Sequence, residues 1–308
     1  MTTTADNTVI SPELLSRLTA INYRAKDIVD GVLSGLHRSP QHGSSIEFAE
    51  HIEYAPGDEI RHIDWRAYAK SDKYYVRRFE QETNLRAMIL MDVSSSMRYQ
   101  SPESHQSKWQ YAQELSAALA YMMLHQQDAV GITLVDTAIR GYVPPRSHSN
   151  HLRHLAQVLL AEEPLEHTPT NLIAGANHLL ELFTGRGIVF VISDFMDHNS
   201  HYLSALRQLR GRKQQIHLLH VLDPWELTFP FADMTLFQSL ESNQTVLAEP
   251  RIIRKTYIEE FQRFVAELRQ QCLESGFEYQ LFRTDWNIAD GITSLITGEK
   301  DVGTAHGI

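Results

Sequence analysis

From residue 86 onward, short apolar runs alternate with longer amphipathic segments, and this alternation limits the folds that the chain can adopt. The run at 187–192 is almost continuously apolar, which is typical of a strand covered by helices on both faces of its sheet. Strands alternating with helices favour an α/β fold with a doubly wound, mostly parallel sheet. Six strands are predicted at 86–92, 129–135, 139–143, 187–193, 215–222 and 277–283. Helices are predicted at about 107–126, 148–161, 171–184, 200–211, 251–275 and 287–297.

Two details of this pattern depart from a purely parallel sheet. The second and third predicted strands are too close in sequence for a parallel crossover, so we expect the third to be antiparallel to the second. The fifth strand and its following helix are separated by an insertion at 224–250. Within it, the runs 234–237 and 245–248 flank Glu241-Ser242-Asn243 and predict a β-hairpin.

The N-terminal part of the chain has a different pattern. Ser11-Pro12-Glu13 predicts a helix start, with serine at the N-cap and proline at the first helical position. Alternating runs at 45–48 and 74–79 predict a small β segment. We therefore expect residues 1–85 to form an N-terminal helix and β segment, 86–298 the main domain, and 299–308 a flexible tail without periodicity.

Composition narrows the function classes. The formal net charge of -10 argues against general nucleic-acid binding, which needs a basic surface. Cys272 is the one cysteine, so an internal disulfide is excluded and a reducing compartment is favoured. No apolar run approaches the roughly 18 residues of a membrane span, and the N-terminus does not resemble a signal peptide. We expect a cytoplasmic protein without a membrane span.

A polar motif follows the first strand of the sheet. Asp92-Val93-Ser94-Ser95-Ser96 places one carboxylate and hydroxyl groups on a strand-end loop, and these oxygens suit a hard cation such as Mg²⁺. The alternative interpretation is an ordinary polar turn after a core strand.

Two further residues are expected near this motif. Ligands of open α/β sheets bind beyond the carboxyl ends of strands where the strand order reverses. The order 3-2-1-4-5-6 makes 86–92 and 187–193 neighbours there, and Asp194 follows the second of them. Thr170 lies in the loop before a helix, although both residues also suit a helix N-cap. The predicted metal ligands are Asp92, Ser94, Ser96, Thr170 and Asp194, and Mn²⁺ or Ca²⁺ would accept the same oxygen donors as Mg²⁺.

The ligand types indicate docking rather than hydrolysis. Neutral hydroxyls would leave much of the charge on the ion, which would then accept a Glu or Asp from a partner protein. A hydrolytic site would normally add a positioned base and more carboxylates or histidines, and the sequence indicates none. The alternative is a metal-dependent phosphohydrolase with Asp92 as nucleophile. Such enzymes usually place a second carboxylate where Ser94 stands, so we expect no enzyme activity.

With a second motif, these residues resemble the von Willebrand factor A-like proteins of domain-of-unknown-function family 58, which are encoded beside MoxR-type AAA+ ATPases. In that resemblance the five predicted ligands match a metal-ion-dependent adhesion site. The second motif, at 53–65, reads Glu-Tyr-Ala-Pro-Gly-Asp-Glu-Ile-Arg-His-Ile-Asp-Trp, and the resemblance covers about 12–297. Ile52 departs from it, because many members have arginine there.

The resemblance implies a non-enzymatic, metal-dependent protein-binding adaptor. It also implies a MoxR-type AAA+ ATPase or its client as the partner, in a chaperone-like or complex-maturation role. The second motif supplies signature residues with either a structural role or a direct partner contact, since its charges can form a charge-assisted bond around a Pro-Gly turn. These residues are Tyr54, Gly57, Asp58, Arg61, Asp64 and Trp65.

Two weaker signals have two interpretations each. His148, His151 and His154 are spaced by three and suggest either zinc ligation or a solvated first helical turn; without a nearby cysteine or an HExxH motif, the solvated turn is favoured. Asp223 ends the fifth strand, and either extends the binding crevice or forms a strand-ending turn with Pro224.

Overall fold

The computed structural model describes residues 12–38, 51–53, 75–77, 85–148, 150–197 and 201–298. The chain divides into two compact units, of which the larger comprises Met1–Leu36 and Leu85–Ile308 and the smaller comprises His37–Asn84. In the smaller unit, strands β1 (His51–Glu53) and β2 (Tyr75–Arg77) pair antiparallel. The signature residues Tyr54, Gly57, Asp58, Arg61, Asp64 and Trp65 lie outside the described residues, as does the tail at 299–308.

The larger unit contains the predicted α/β sheet. Its strands are β3 (Arg86–Asp92), β4 (Ala129–Val135), β5 (Ile139–Arg146), β6 (Gly187–Ser193), β7 (Gln214–Leu222), β8 (Thr235–Gln238), β9 (Thr245–Ala248) and β10 (Glu278–Arg283). The six-stranded sheet has the order β10-β7-β6-β3-β4-β5, in which β5 is antiparallel to β4 and every other pair is parallel. The predicted strand order, the antiparallel edge strand and the fold class are confirmed.

Helices occupy the predicted gaps, with ends shifted by a few residues. They are α1 (Pro12–Arg38), α2 (Lys108–His125), α3 (His151–Ala161), α4 (Leu172–Leu182), α5 (Tyr202–Gly211), α6 (Pro224–Thr228), α7 (Pro250–Ser275) and α8 (Ile288–Thr297). Helix α6 was not predicted. It forms because Asp223 caps its N-terminus in a capping box with Glu226. In the sequence alone, this short segment cannot be distinguished from a plain turn.

Alternation along β3 builds a core on each face of the sheet. Ile89 and Met91 pack with helix α2 in one buried cluster, whereas Met88 and Leu90 pack with α4 and α5 in the other. Such two-sided burial explains why the strand sequences are almost continuously apolar.

Helix α1 belongs, up to Leu36, to the larger unit. Its residues Leu18, Ile21 and Ala25 form a buried cluster with Ala117 of α2 and Ala156 of α3. The sequence interpretation grouped this helix with the β segment before residue 85. Its apolar stripe instead covers two helices of the sheet unit, a pairing between segments far apart in sequence.

The predicted hairpin is confirmed as strands β8 and β9, which pair antiparallel. Phe237 of β8 stacks on Phe229 and packs edge-on against Phe231. The hairpin is therefore attached to the chain that follows β7, at the carboxyl end of the sheet.

The histidine triplet is only partly solvated. His148 and His154 are exposed as expected, but His151 is buried and its Nε2 lies 2.7 Å from the Val130 carbonyl oxygen. The prediction of a solvated turn is therefore wrong for His151, which faces strand β4 because α3 packs against the sheet.

Candidate functional site

The predicted motif forms the end of strand β3 and a 3-10 turn, Ser95–Arg98. The Ser94 backbone N–H donates to Asp92 Oδ1 at 2.8 Å, which folds the chain back over the carboxylate. The hydroxyl oxygens of Ser94 and Ser96 lie 3.0 Å apart. One carboxylate and two hydroxyls therefore converge, as the motif predicted.

The second oxygen of the same carboxylate accepts hydrogen bonds from hydroxyl groups on two other elements. Asp92 Oδ2 accepts from Thr170 Oγ1 at 3.1 Å and from Ser193 Oγ at 2.6 Å. Thr170 was predicted at this site; Ser193 was not. Its position beside Asp194 at the end of β6 was the available signal.

Close packing between α4 and β3 supports the position of Thr170. Gly175 of α4 lies so close to β3 that an added Cβ would be 2.5 Å from Leu90 Cδ1. A larger residue at this position would require either the buried Leu90 side chain or helix α4 to shift.

Ser95, the middle serine, ties this loop to the motif. Its backbone N–H donates to the Thr168 carbonyl oxygen at 2.9 Å, and its hydroxyl donates to the Leu165 carbonyl oxygen at 2.6 Å. The Thr168 N–H donates to Ser95 Oγ at 2.6 Å. Ser95 thus holds the two loops in register rather than presenting a ligand.

Asp194 is held at the site by an ion pair rather than by hydroxyl groups alone. Its Oδ2 forms an ion pair with Lys108 Nζ at 2.7 Å, and Lys108 also pairs with Glu226 Oε1 at 2.6 Å. Ser96 makes a hydrogen-bonding contact with the Asp194 carboxylate. Sequence analysis missed Lys108 and Glu226, because neither belongs to the motif and both reach the site from other helices.

The two carboxylates differ in their electrostatics. Burial, together with the charge of Asp194, raises the pKa of Asp92 to about 7. Burial would also raise the pKa of Asp194, but the Lys108 ammonium holds it below its ordinary value. Burial raises the pKa of Glu226 despite its pairing with Lys108. Negative charge at the site is therefore only partly compensated.

The donor set fits a hard divalent cation. Among the described residues, Lys108 forms ion pairs with Asp194 and Glu226, whereas no ion pair involves Asp92. Among the described residues no group of three His, Cys, Asp or Glu side chains is placed to hold a metal. Asp92 and Asp194 with three hydroxyls form a site of another kind, whose neutral oxygens and surplus negative charge suit Mg²⁺.

The site is more enclosed than a loop beyond the core would be. Asp92, Ser94 and Asp194 are fully buried, and Ser96 and Thr170 are each 9% exposed. The chain between β8 and β9 lies beside the Thr170 loop, since the His167 N–H donates to the Leu240 carbonyl oxygen at 3.2 Å.

Asp223 does not extend the crevice. Its Oδ2 accepts from the Ser101 N–H at 3.0 Å and from Ser104 Oγ at 2.8 Å, and its Oδ1 accepts from the Trp225 N–H at 2.9 Å. Of the two interpretations of Asp223, the structure supports the strand-ending turn, which also caps helix α6.

Comparisons with known proteins found one group of similar sequences and several similar solved structures. An uncharacterised protein from Mycobacterium tuberculosis is 25% identical over 233 residues, covering 75% of this chain and 72% of that protein. An aerotolerance-related membrane protein from Bacteroides fragilis is 19% identical, with a TM-score of 0.47, covering 70% of this chain and 98% of the other. A von Willebrand factor type A structure from Catenulispora acidiphila is 10% identical, with a TM-score of 0.45, covering 72% of this chain and 43% of the other.

These comparisons contradict the prediction of a cytoplasmic protein. Similar structures include proteins described as membrane or membrane-spanning proteins, so we withdraw the prediction. That prediction rested on composition and on the lack of a long apolar run, and neither property identifies a compartment. Within the described ranges, no helix combines the length and the apolar character needed to cross a membrane.

Family membership follows from a match along most of the chain. The model of the family described as "Protein of unknown function DUF58" matches residues 50–267, a stretch that includes the signature motif and the Asp92 site. The chain therefore belongs to the DUF58 family.

Proposed function

We propose that this protein is a metal-dependent protein-binding adaptor that presents Mg²⁺ to an acidic side chain of a partner. The resemblance to von Willebrand factor A-like proteins suggests a protein-interaction domain. The observation that carries the metal dependence is the meeting of Thr170, Ser193 and the Ser94–Ser96 turn at one buried carboxylate, Asp92.

Each residue has a role suited to its environment. Ser94, Ser96 and Thr170 would offer neutral oxygens, and Asp92 and Asp194 would hold the ion through their negative charge, either directly or through bound waters. When bound, Mg²⁺ supplies an electrophilic position for a carboxylate oxygen from outside the site. Lys108 acts on Asp194 rather than on the ion, since it fixes that carboxylate by an ion pair.

The absence of enzyme activity is part of the proposal. A nucleophilic Asp92 would need one carboxylate oxygen free to attack a phosphorus atom. Oδ1 accepts from the Ser94 N–H, and Oδ2 accepts from Thr170 and Ser193. These bonds favour a carboxylate that organises the site over one that attacks a substrate.

We further propose a MoxR-type AAA+ ATPase, or its client, as the partner, and a chaperone-like or complex-maturation role. The support for this is the resemblance carried by the Asp92 motif and the motif at 53–65. The net charge of -10 supports a protein partner over a nucleic acid.

The first test is calorimetric titration of the purified chain with Mg²⁺. We expect binding that Asp92→Asn weakens by at least about tenfold, since even residues that only orient a ligand change metal affinity by about 10–100-fold. Asp223→Asn is the matched control, because it removes a buried strand-end carboxylate charge outside the site. Equal affinities for the wild type and Asp92→Asn would refute the metal site.

The second test is co-purification with a MoxR-type AAA+ ATPase. We expect retention in Mg²⁺, loss in EDTA, and loss in Asp92→Asn and Ser94→Ala. Retention unchanged by EDTA and by both substitutions would contradict metal-dependent docking. Mg²⁺-dependent turnover of a phosphate ester, abolished by Asp92→Asn, would instead support the phosphohydrolase.

A further inference from the structure

The turn of the β8–β9 hairpin is fixed beside the candidate cation site. Its backbone is closed by the Ser239 N–H, which donates to the Gln244 carbonyl oxygen at 2.9 Å, and by the Ser242 N–H, which donates to Ser239 Oγ at 3.1 Å. The bond from the His167 N–H to the Leu240 carbonyl oxygen joins this turn to the loop that carries Thr170. The next residue of the turn is Glu241.

The Glu241 carboxylate reaches the predicted ligands. It makes a hydrogen-bonding contact with the Ser96 side chain. Its Oε1 atom is shielded from solvent, yet it has no hydrogen-bond partner in the structure. The charged groups near this carboxylate include both Asp194 and Lys108.

A carboxylate in this position needs a positive partner. A buried carboxylate oxygen without a donor is unfavourable, and a second carboxylate nearby adds repulsion. Lys108 already pairs with Asp194 and Glu226. A divalent cation bound among Asp92, Ser96 and Asp194 would supply the missing charge and accept an oxygen of Glu241.

We propose that Glu241 is an internal carboxylate ligand of the cation site, held there by the hairpin turn in place of a partner's acidic side chain. The inference rests on the proposed function, because it requires the cation. A partner carboxylate would compete with Glu241, and the turn at 239–244 would have to move away before the partner binds. The hairpin thereby regulates access to the metal.

The test uses Mn²⁺ as the probe, because it accepts the same oxygen ligands as Mg²⁺ and its bound waters are measured by water-proton relaxation. We expect Glu241→Ala to weaken Mn²⁺ binding by about tenfold or more and to raise the relaxation rate per bound ion, since water replaces the lost carboxylate oxygen. Glu249→Ala is the matched control, because this exposed glutamate follows the same hairpin without a side-chain capping bond.

Glu241→Gln separates charge from packing. Glutamine preserves the size of the side chain and its contact with Ser96 but removes the negative charge, so we expect weaker Mn²⁺ binding here as well. Far-ultraviolet circular dichroism establishes that each variant is folded.

The outcomes separate the two proposals. Mn²⁺ binding that depends on Asp92 but is unchanged, in affinity and relaxation, by Glu241→Ala would overturn the internal ligand and leave the metal site standing. Wild-type protein that binds no Mn²⁺ would overturn both. Equal weakening by Glu249→Ala would assign the effect to general surface charge and overturn the role of Glu241.

Discussion

Two buried aspartates at the carboxyl edge of the sheet, Asp92 and Asp223, have similar surroundings and opposite electrostatics. Each ends a parallel strand and accepts hydrogen bonds from nearby serines or threonines. Donors to Asp223 include the Ser101 and Trp225 N–H groups, which hold its pKa below its ordinary value although burial would raise it. The pKa of Asp92 is raised to about 7, because burial and Asp194 outweigh its hydrogen bonds.

The opposite pKa shifts show in which of the two polar clusters the protein itself compensates the buried charge. Donors compensate the charge of Asp223, so the cluster stabilises a turn and needs nothing further. At Asp92 the hydroxyl groups donate hydrogen bonds to the carboxylate but carry no positive charge to compensate it. A second carboxylate, that of Asp194, lies nearby. A buried cluster that retains uncompensated negative charge is a candidate ligand site, whereas a compensated one is structural. The first of the following predictions tests the charge balance of the Asp92 cluster, and the others contrast the two clusters.

The largest effect is expected at Lys108, which partly compensates the Asp92 cluster. Lys108→Met would leave Asp194 and Glu226 buried without a cation, and breaking a buried ion pair typically costs about 3–5 kcal/mol of unfolding free energy. Urea denaturation measures the loss. The control Lys255→Met removes an exposed lysine and should change stability by less than about 0.5 kcal/mol. A small effect at Lys108 would show that the two acids are neutral in the folded protein.

A cation should stabilise only one of the two clusters. Mg²⁺ at about one hundred times its dissociation constant should raise the unfolding free energy of the wild type by about 2.7 kcal/mol. We expect the same increment in Asp223→Asn and none in Asp92→Asn, measured by denaturation with Mg²⁺ and with EDTA. An equal increment in all three proteins would place the bound ion elsewhere.

The Asp223 cluster should respond as a structural element. Asp223→Ala removes the acceptor of the Ser101, Ser104 and Trp225 donors, and leaving buried donors unsatisfied costs about 1–3 kcal/mol. Denaturation in EDTA measures this loss. Mg²⁺ affinity per folded molecule should be unchanged, and a large loss of affinity would make Asp223 part of the metal site.

The pH dependence of stability should distinguish the clusters in EDTA. Asp223 has a lowered folded pKa, so its contribution is present above pH 3.8 and is lost as the pH falls below that value. Asp92 has a raised pKa, so stability should fall as the pH rises from about 4 to about 7, by at most about 1.4 kcal/mol per pH unit. Asp92→Asn should remove the second slope alone; a slope that persists would belong to another group.

Local patterns accounted for most of the fold. Strand order, the antiparallel edge strand and the hairpin followed from apolar periodicity and connection length. Helix α6 escaped prediction because its capping box depends on where β7 ends. The burial of His151 was not predicted, because the charge pattern of α3 does not show which face of the helix packs against the sheet.

For the candidate site, the sequence alone determined which oxygens stand at strand ends, because the motif is local and the sheet order follows from the alternation of strands and helices. It predicted Asp92, Ser94, Ser96, Thr170 and Asp194. Tertiary structure decided how their charges are balanced. Lys108 lies 86 positions from Asp194 and 118 from Glu226, so no local pattern could pair them. Glu241 likewise reaches Ser96 only because the folded hairpin lies beside the Thr170 loop.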